Sequence, residues 1–130
     1  MLQFDLVSPE RAMASGQASQ VTAPGMEGDL TALPGHAPFL TALRPGVVSA
    51  VMGSETKRFV VFGGFVEIAP ERVSVLADDV FAAGEVSAEV IDARITEAEA
   101  ALKAAGGGDE FIAAQRLEDL RTLKSLNLAA

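Results

Sequence analysis

The sequence contains no cysteine, no tryptophan and no tyrosine, and its only histidine is His36. Without cysteine the chain forms no disulfide, has no thiol nucleophile and builds no cysteine zinc site. A lone imidazole leaves no partner for a multi-histidine metal site, and any Ser–His–Asp scheme would have to use His36. Most enzyme chemistry is therefore poorly supplied, and we predict no catalytic residue, no metal and no cofactor.

Basic residues are also scarce, since 10 Lys and Arg stand against 18 Asp and Glu and give a net charge of −8. This composition is unlike the basic, aromatic-lined surfaces that bind nucleic acids, so we expect no nucleic-acid partner. No apolar run approaches the length of about 18 residues that a membrane span needs. The first residues lack the signature of a signal or transit peptide, which predicts a soluble, intracellular chain.

Residue usage changes along the chain. All 6 Pro lie at or before Pro70 and all 13 Val at or before Val90, whereas 13 of the 23 Ala lie at or after Ala82. Val favours strands and Ala favours helices. We therefore predict a β module over residues 1–84 and a helical module over residues 85–130.

The β module consists of short runs separated by turn residues such as Ser15-Gly16, Pro24-Gly25 and Gly63-Gly64. This spacing predicts a mainly β plus α protein whose N-terminal part is an antiparallel β-sandwich of many short strands in two packed layers. The predicted strands are Gln3–Val7, Arg11–Ala14, Ser19–Ala23, Gly28–Leu33, Phe39–Leu43, Val47–Met52, Thr56–Phe62, Gly64–Ile68, Val73–Leu76 and Val80–Ala82.

The helical module begins with Ser87 as a predicted N-cap, and the run Gly106-Gly107-Gly108 ends its first helix. Asp109 is the predicted cap of a second helix. The short connection predicts an antiparallel two-helix hairpin. The apolar positions expected to pack are Ile91, Ile95, Ala98, Leu102 and Ala105 in the first helix, and Phe111, Ile112, Ala113, Leu117, Leu120, Leu123 and Leu126 in the second.

Charge is unevenly distributed over this module. Residues 78–110 carry nine acidic and two basic side chains, whereas residues 111–130 carry two acidic and three basic ones. The second helix is therefore slightly basic and suited to an acidic partner.

The segment from Gly25 to Pro38 combines three glycines, two prolines and His36. Such a segment predicts a rigid, exposed path of the backbone. From the residues alone, His36 is best interpreted as a loop imidazole that hydrogen-bonds a nearby carbonyl, and a contact role is the alternative. A free-standing hydrolase that uses His36 is a further hypothesis, although no recognised catalytic motif surrounds it.

The run from Gly28-Asp29-Leu30 through Leu33-Pro34-Gly35-His36-Ala37-Pro38, followed by Leu43-Arg44-Pro45-Gly46, resembles the signature of the epsilon subunit of bacterial F-type ATP synthases. Leu6-Val7-Ser8-Pro9-Glu10 and Gly63-Gly64-Phe65-Val66-Glu67-Ile68 resemble the first and a late strand of that family. The resemblance implies a non-catalytic central-stalk subunit that couples proton-driven rotation of the c ring to ATP synthesis. It also implies a peripheral position at the cytoplasmic face of the bacterial plasma membrane, held there only through the complex.

The resemblance further implies which residues meet each partner. Glu27, Gly28 and Asp29 match the contact with the c-subunit ring. The matches to the interface with the gamma subunit are Ser8, Gly35, His36 and Thr41.

In this family the hairpin can extend towards the alpha and beta subunits of the catalytic head and inhibit ATP hydrolysis. The candidates for that contact are Arg116, Arg121 and Lys124. From the residues alone, this is equally a solvated helix face with a pair between Glu118 and Arg121.

Some members of the family bind ATP through an Asp and an Arg at the start of the first helix. Asp92 and Arg94 are the matching candidates, but Arg94 comes one residue early, which turns it by about 100° around the helix. A small ATP-sensing or ATP-binding module that acts alone is the alternative function.

Overall fold

The structure is a computed structural model that describes residues 1–126. The chain divides into two compact units, Met1–Ala82 and Ala83–Ala130. The first unit contains ten strands, and each overlaps one of the ten predicted from the turn residues. The strands are β1 (Leu2–Val7), β2 (Ala12–Ala18), β3 (Gln20–Gly25), β4 (Gly28–Ala32), β5 (Phe39–Leu43), β6 (Gly46–Met52), β7 (Glu55–Val61), β8 (Gly64–Ala69), β9 (Arg72–Ala77) and β10 (Val80–Ala82).

The strands follow one another in the order β10-β7-β6-β3-β5-β8-β9-β1-β2, and β4 pairs with β3. The prediction of an antiparallel sandwich is confirmed except at one place, because β1 and β9 run parallel. All other pairings among the described strands are antiparallel. A parallel pair requires a long connection, and here the chain from β2 to β8 provides it. Local residue patterns do not encode the direction of so distant a partner.

Alternate side chains of the strands point into one apolar core. In β8, for example, Val66 and Ile68 are buried and Phe65 and Glu67 are exposed. This alternation is the period-two pattern of a sheet with one face packed and one face solvated. The largest fully buried side chains of this unit are Phe4, Leu2, Leu6, Ile68, Val21, Val48, Val60, Val61, Val66 and Val73.

Two of the predicted turns are wrong. Strand β2 continues through Ser15 and Gly16, and β3 continues through Pro24 and Gly25. At Gly16 a Cβ atom would lie 2.8 Å from the terminal methyl of Met52. This glycine therefore permits close packing inside a strand instead of forming a turn.

The second unit contains helices α1 (Ala88–Ala104) and α2 (Asp109–Ser125). Ser87 caps α1 as predicted, because its side chain accepts a hydrogen bond from the Val90 N–H at 3.2 Å. Asp109 does not cap α2 but is its first residue, and Gly108 occupies the cap position without a side-chain hydrogen bond. The two helices are antiparallel, since Asp92 near the start of α1 pairs with Lys124 near the end of α2.

The packing of this hairpin is narrower than the sequence predicts. The buried apolar positions of the two helices are Ile91, Ala98, Leu117, Leu120 and Leu123, and Asp119 on α2 is buried as well. Three residues expected to pack are exposed instead, namely Phe111, Ile112 and Leu126. Phe111 and Ile112 lie in the first turn of α2 and Leu126 follows its last turn, where helical periodicity alone does not ensure a packing partner.

Candidate functional site

The three residues predicted to contact the c ring lie together at one turn. Strands β3 and β4 form a hairpin in which Gly25 pairs with Gly28, so that Met26 and Glu27 form its tip. Glu27, Gly28 and Asp29 are all exposed. We call residues 25–29 the acidic turn. The arrangement presents two carboxylates close together at one end of the sandwich.

Arg44 contacts the acidic turn from the segment between β5 and β6. Its guanidinium pairs with the Asp29 carboxylate, and its Nε–H donates to the Gly25 carbonyl oxygen at 3.0 Å. Its backbone N–H donates to the Pro24 carbonyl oxygen, also at 3.0 Å. The Arg44 side chain is 25% exposed and that of Asp29 is 72% exposed. The Arg44 side chain is thus mostly covered, and its end reaches the exposed acid.

The sequence analysis assigned no role to Arg44, although it quoted the residue within the family signature. Arg44 and Asp29 are 15 residues apart in the sequence, so no local pattern connects them. The sequence feature that could have drawn attention to Arg44 was its place directly after a predicted strand in a chain with few basic residues. The pairing of Gly25 with Leu43 brings the two segments together.

The residues predicted to contact gamma are spread along the sandwich. Ser8 follows β1 at the end of the sandwich that carries the acidic turn. Val7 pairs with Leu76, which lies beside Phe65 and Ala42 at that end, and the next residue of β5, Leu43, pairs with Gly25 of the turn. Gly35 and His36 precede β5 at the opposite end, where the Gly35 N–H donates to the Pro70 carbonyl oxygen at 2.8 Å. The structure therefore does not bring the four residues to one point.

The contacts of these residues differ. The Ser8 hydroxyl accepts from the Arg11 N–H at 3.3 Å and so closes the turn between β1 and β2. The His36 Nδ1 lies 2.6 Å from the Ala37 carbonyl oxygen, which fits the interpretation of a loop imidazole bonded to a nearby carbonyl. Thr41 pairs with buried Val66 and is half-buried.

Exposed apolar side chains lie on the solvent side of β5, β8 and β9. The pairings across β5, β8 and β9 place Ala42 beside Phe65, and Phe65 beside Leu76. Phe65 is 54% exposed, Leu76 is 53% exposed, and Leu40 in the adjacent row of the same face is 63% exposed. We call the surface of Leu40, Phe65 and Leu76 the apolar face. Leu40 itself pairs with the exposed Glu67, so only Phe65 and Leu76 are direct neighbours. Exposed apolar side chains that lie close together are a common mark of an interaction site.

The sequence analysis missed the apolar face. It recognised the alternation in the segments that form β8 and β9 but did not ask which large side chains were on the solvent side. Phe65 and Leu76 occupy outward positions, where a polar side chain is usual in a solvated sheet. The register that makes them neighbours comes from the pairing of strands and is not visible in either segment alone.

Two of the three cations predicted to contact the catalytic head form ion pairs within the hairpin. Lys124 Nζ lies 2.6 Å from Asp92 Oδ1, and an Arg121 guanidinium nitrogen lies 3.8 Å from Glu99 Oε2. All four side chains are about half exposed. Arg116 is exposed on α2.

Asp92 and Arg94, the candidates for a nucleotide site, do not share a face of α1. Two positions along a helix rotate a side chain by about 200°, so their side chains leave the helix on different sides. The Asp92 carboxylate already forms an ion pair with Lys124. A residue predicted to bind nucleotide and one predicted to bind the catalytic head are thus paired with each other.

Residues 1–126 contain no group of three or more His, Asp or Glu side chains that could hold a metal ion. Neither described helix is long and apolar enough to cross a membrane.

Comparison with known proteins supplies the family. Residues 1–83 match the model of the ATP synthase delta/epsilon chain beta-sandwich domain. The ATP synthase epsilon chain of Fuscovulum blasticum is 47% identical over 124 residues, a match that covers 95% of this chain and 94% of the relative. The chain belongs to the ATP synthase epsilon-chain family. The epsilon chain of Bradyrhizobium sp. is 38% identical over 128 residues, a match that covers 98% of this chain and 95% of the relative.

Chains in two solved structures of mitochondrial ATP synthases share the fold of this chain. One is the Euglena gracilis mitochondrial ATP synthase with OSCP, F1 and c-ring in rotational state 1, which matches with a TM-score of 0.74 at 19% identity and covers 97% of this chain and 81% of the other. Another is the central stalk and c-ring of the Tetrahymena thermophila mitochondrial enzyme, with a TM-score of 0.67 at 19% identity. That match covers 98% of this chain and 96% of the other.

Proposed function

We propose that this chain is a non-catalytic central-stalk subunit that binds the gamma subunit and the c ring and transmits the rotation of the ring to the catalytic head. The observation that carries the proposal is the apolar face in an otherwise acidic chain. Epsilon-chain relatives match over nearly the whole length, which supports assembly into an ATP synthase.

Gamma is the proposed occupant of the apolar face. Leu40, Phe65 and Leu76 each leave roughly 100 Å² in water, and a partner that covers them removes this area at a gain of about 25 cal/mol per Å². Because the side chains sit on paired strands, little conformational entropy is lost on docking. Ser8 and His36 lie beyond the two ends of these strands, so only a partner that covers the strands along their whole length would also meet both.

The acidic turn is the proposed contact with the c ring. It is a two-residue tip on a paired hairpin, so its carboxylates are held by a short, well-defined backbone. The proposed position in a cell follows from this contact. The chain would lie at the cytoplasmic face of the plasma membrane through the complex.

The test is reconstitution with purified partners. The untagged chain should co-purify with gamma and with a detergent-solubilised complex of gamma and c ring. Adding the chain to vesicles that contain an ATP synthase depleted of epsilon should restore proton-driven ATP synthesis. Failure to bind gamma at micromolar concentration would refute the proposal.

The helical hairpin is the proposed regulatory element. If it extends to the head, Arg121 and Lys124 must exchange Glu99 and Asp92 for acidic groups of the alpha and beta subunits. Half-exposed ion pairs contribute only about 0–1 kcal/mol each, so this exchange costs little. Deletion of residues 87–130 should raise ATP hydrolysis by the reconstituted enzyme and leave coupling intact. Unchanged hydrolysis would argue against inhibition, and lost synthesis in an intact assembly would argue against coupling by the sandwich alone.

A further inference from the structure

Strand β2 lies at one end of the strand order, so one of its edges pairs with β1 and the other faces away from the sheet. The Gln3 N–H donates to the carbonyl oxygen of the residue before β9, so the backbone groups of Gln3 point towards β9. Successive residues of a strand point their backbone groups in opposite directions. Phe4 therefore points towards β2 and bonds to the residue opposite, Gly16. The two neighbours of Gly16, Ser15 and Gln17, point away from β1.

The backbone N–H groups of Ser15 and Gln17 are open to a partner. Both residues are exposed, and within residues 1–126 neither N–H donates a hydrogen bond. The N–H of Ser19, which follows β2, does bond, to the Val51 carbonyl oxygen at 2.8 Å. Strand β2 thus presents two free backbone donors about 7 Å apart on one edge.

The other edge strands of residues 1–126 carry features that discourage pairing with another chain, and β2 does not. Strand β10, at the opposite end of the order, has only three residues, and β4, which pairs only with β3, carries Asp29. Shortness and charge are two common ways of protecting a sheet edge. Strand β2 has seven residues, none of them charged and none of them proline. Such an edge is suited to pairing with a further strand.

The open edge continues the apolar face. Val7 on β1 pairs with Leu76 on one side and with Ala12 of β2 on the other, so the row that contains Phe65 and Leu76 reaches β2. The apolar face presents only about 300 Å², whereas a stable interface covers about 800 Å² of each partner. A partner bound to the apolar face must therefore cover more surface, and the row leads to the edge of β2.

We propose that an extended strand of the gamma subunit pairs with the open edge of β2. This inference rests on the proposed function and names the backbone contact by which gamma would bind. Hydrogen bonds to Ser15 and Gln17 would contribute affinity, and the apolar face would fix the position of the partner. A second copy of this chain is a poorer occupant, because each copy carries a net charge of −8.

The first experiment measures backbone hydrogen exchange in the full-length chain, free and bound to purified gamma. The Ser15 and Gln17 amides should exchange at least about a hundredfold more slowly in the complex, because an added strand bonds them. The Gly16 amide, which bonds to β1, is the internal control and should be protected in both states. Unprotected Ser15 and Gln17 amides in a complex that has formed would overturn the proposal and leave the central-stalk function standing.

The second experiment removes one donor from the edge. Ser15→Pro deletes the outward N–H and leaves the bonds of β2 to β1 in place, because proline is tolerated at an edge position that points outward. The Kd for gamma, measured by calorimetry, should rise about tenfold or more. Ser15→Ala is the matched control, since it loses the hydroxyl bonded to Asp5 at 2.7 Å but keeps the N–H. It should change the Kd less than twofold.

Equal Kd values in Ser15→Pro and Ser15→Ala would overturn the edge pairing. Urea denaturation of the free variants shows whether the sandwich is intact. If Ser15→Pro does not fold, Gln17→Pro tests the same edge, and the exchange measurement on the wild-type chain remains decisive.

Protein concentration distinguishes the two occupants. If protection of Ser15 and Gln17 in the free chain increases with its own concentration and sedimentation detects a dimer, a second copy occupies the edge and the assignment to gamma is overturned. If the wild type does not bind gamma, the central-stalk function and the edge pairing both fail. If Phe65→Ala weakens the binding of gamma and Ser15→Pro does not, only the edge pairing fails.

Discussion

Truncating Phe65 to alanine should weaken binding to gamma more than it destabilises the sandwich. Phe65 lies at the centre of the apolar face, between Ala42 and Leu76, and is 54% exposed. A phenylalanine side chain presents about 200 Å² in all, so about 110 Å² is available to a partner. At about 25 cal/mol per Å², covering that area contributes at most about 2.7 kcal/mol.

A loss of about 2.7 kcal/mol corresponds to about a hundredfold in Kd, and part of it is offset by ordering and imperfect packing. We therefore expect Phe65→Ala to raise the Kd for gamma between about tenfold and a hundredfold. The free energy of unfolding should fall by only about 1 kcal/mol, because the variant leaves the core intact and loses cross-strand contacts with Leu76.

Isothermal calorimetry with purified gamma measures the first quantity, and urea denaturation of the free chain measures the second. Phe65→Leu should give an intermediate Kd. Phe111→Ala is the matched control, since Phe111 is 77% exposed but belongs to the helical unit. A change below twofold in Phe65→Ala, or an equal loss in Phe111→Ala, would refute the reasoning.

Three further predictions concern the packing of the sandwich, the cap of α1 and ATP binding. Gly64→Ala should lower the free energy of unfolding by about 3 kcal/mol or more, because its Cβ would meet backbone atoms of Leu76 and Ala77. Gly53→Ala faces open space and should lower it by only about 1 kcal/mol. Urea denaturation measures both, and equal losses would contradict the packing argument. Ser87→Ala should lower the stability of α1 by about 1 kcal/mol, seen as earlier loss of helical circular dichroism on heating. Calorimetry should detect no ATP binding up to millimolar concentration, and measurable binding would support the ATP-sensing alternative.

The strands could be predicted because their ends carry turn residues and their alternation is local. The errors arose where a residue type serves two purposes. Gly16 was interpreted as a turn, but it makes room for Met52 within β2. Phe111 and Ile112 fit the helical period, yet periodicity does not show whether a partner lies opposite.

The candidate contact surfaces could be predicted less completely because they depend on contacts distant in the sequence. The acidic turn was recognisable as a contiguous segment. Its partner Arg44 and the neighbours Phe65 and Leu76 come together only through strand pairing. Register therefore carries the information that the residue pattern lacked.

The charge distribution of the hairpin shows the same dependence on structure. From composition, the slight positive charge of the last helix indicated cations ready to meet an acidic partner. The structure pairs Lys124 with Asp92 and Arg121 with Glu99, so two of these cations already have acidic partners on α1. Because the pairs are half exposed, an acidic surface can replace the α1 carboxylates at small cost. Rising salt weakens both sets of pairs, so the balance between this hairpin and the proposed extended one would depend on which set is the more shielded from solvent.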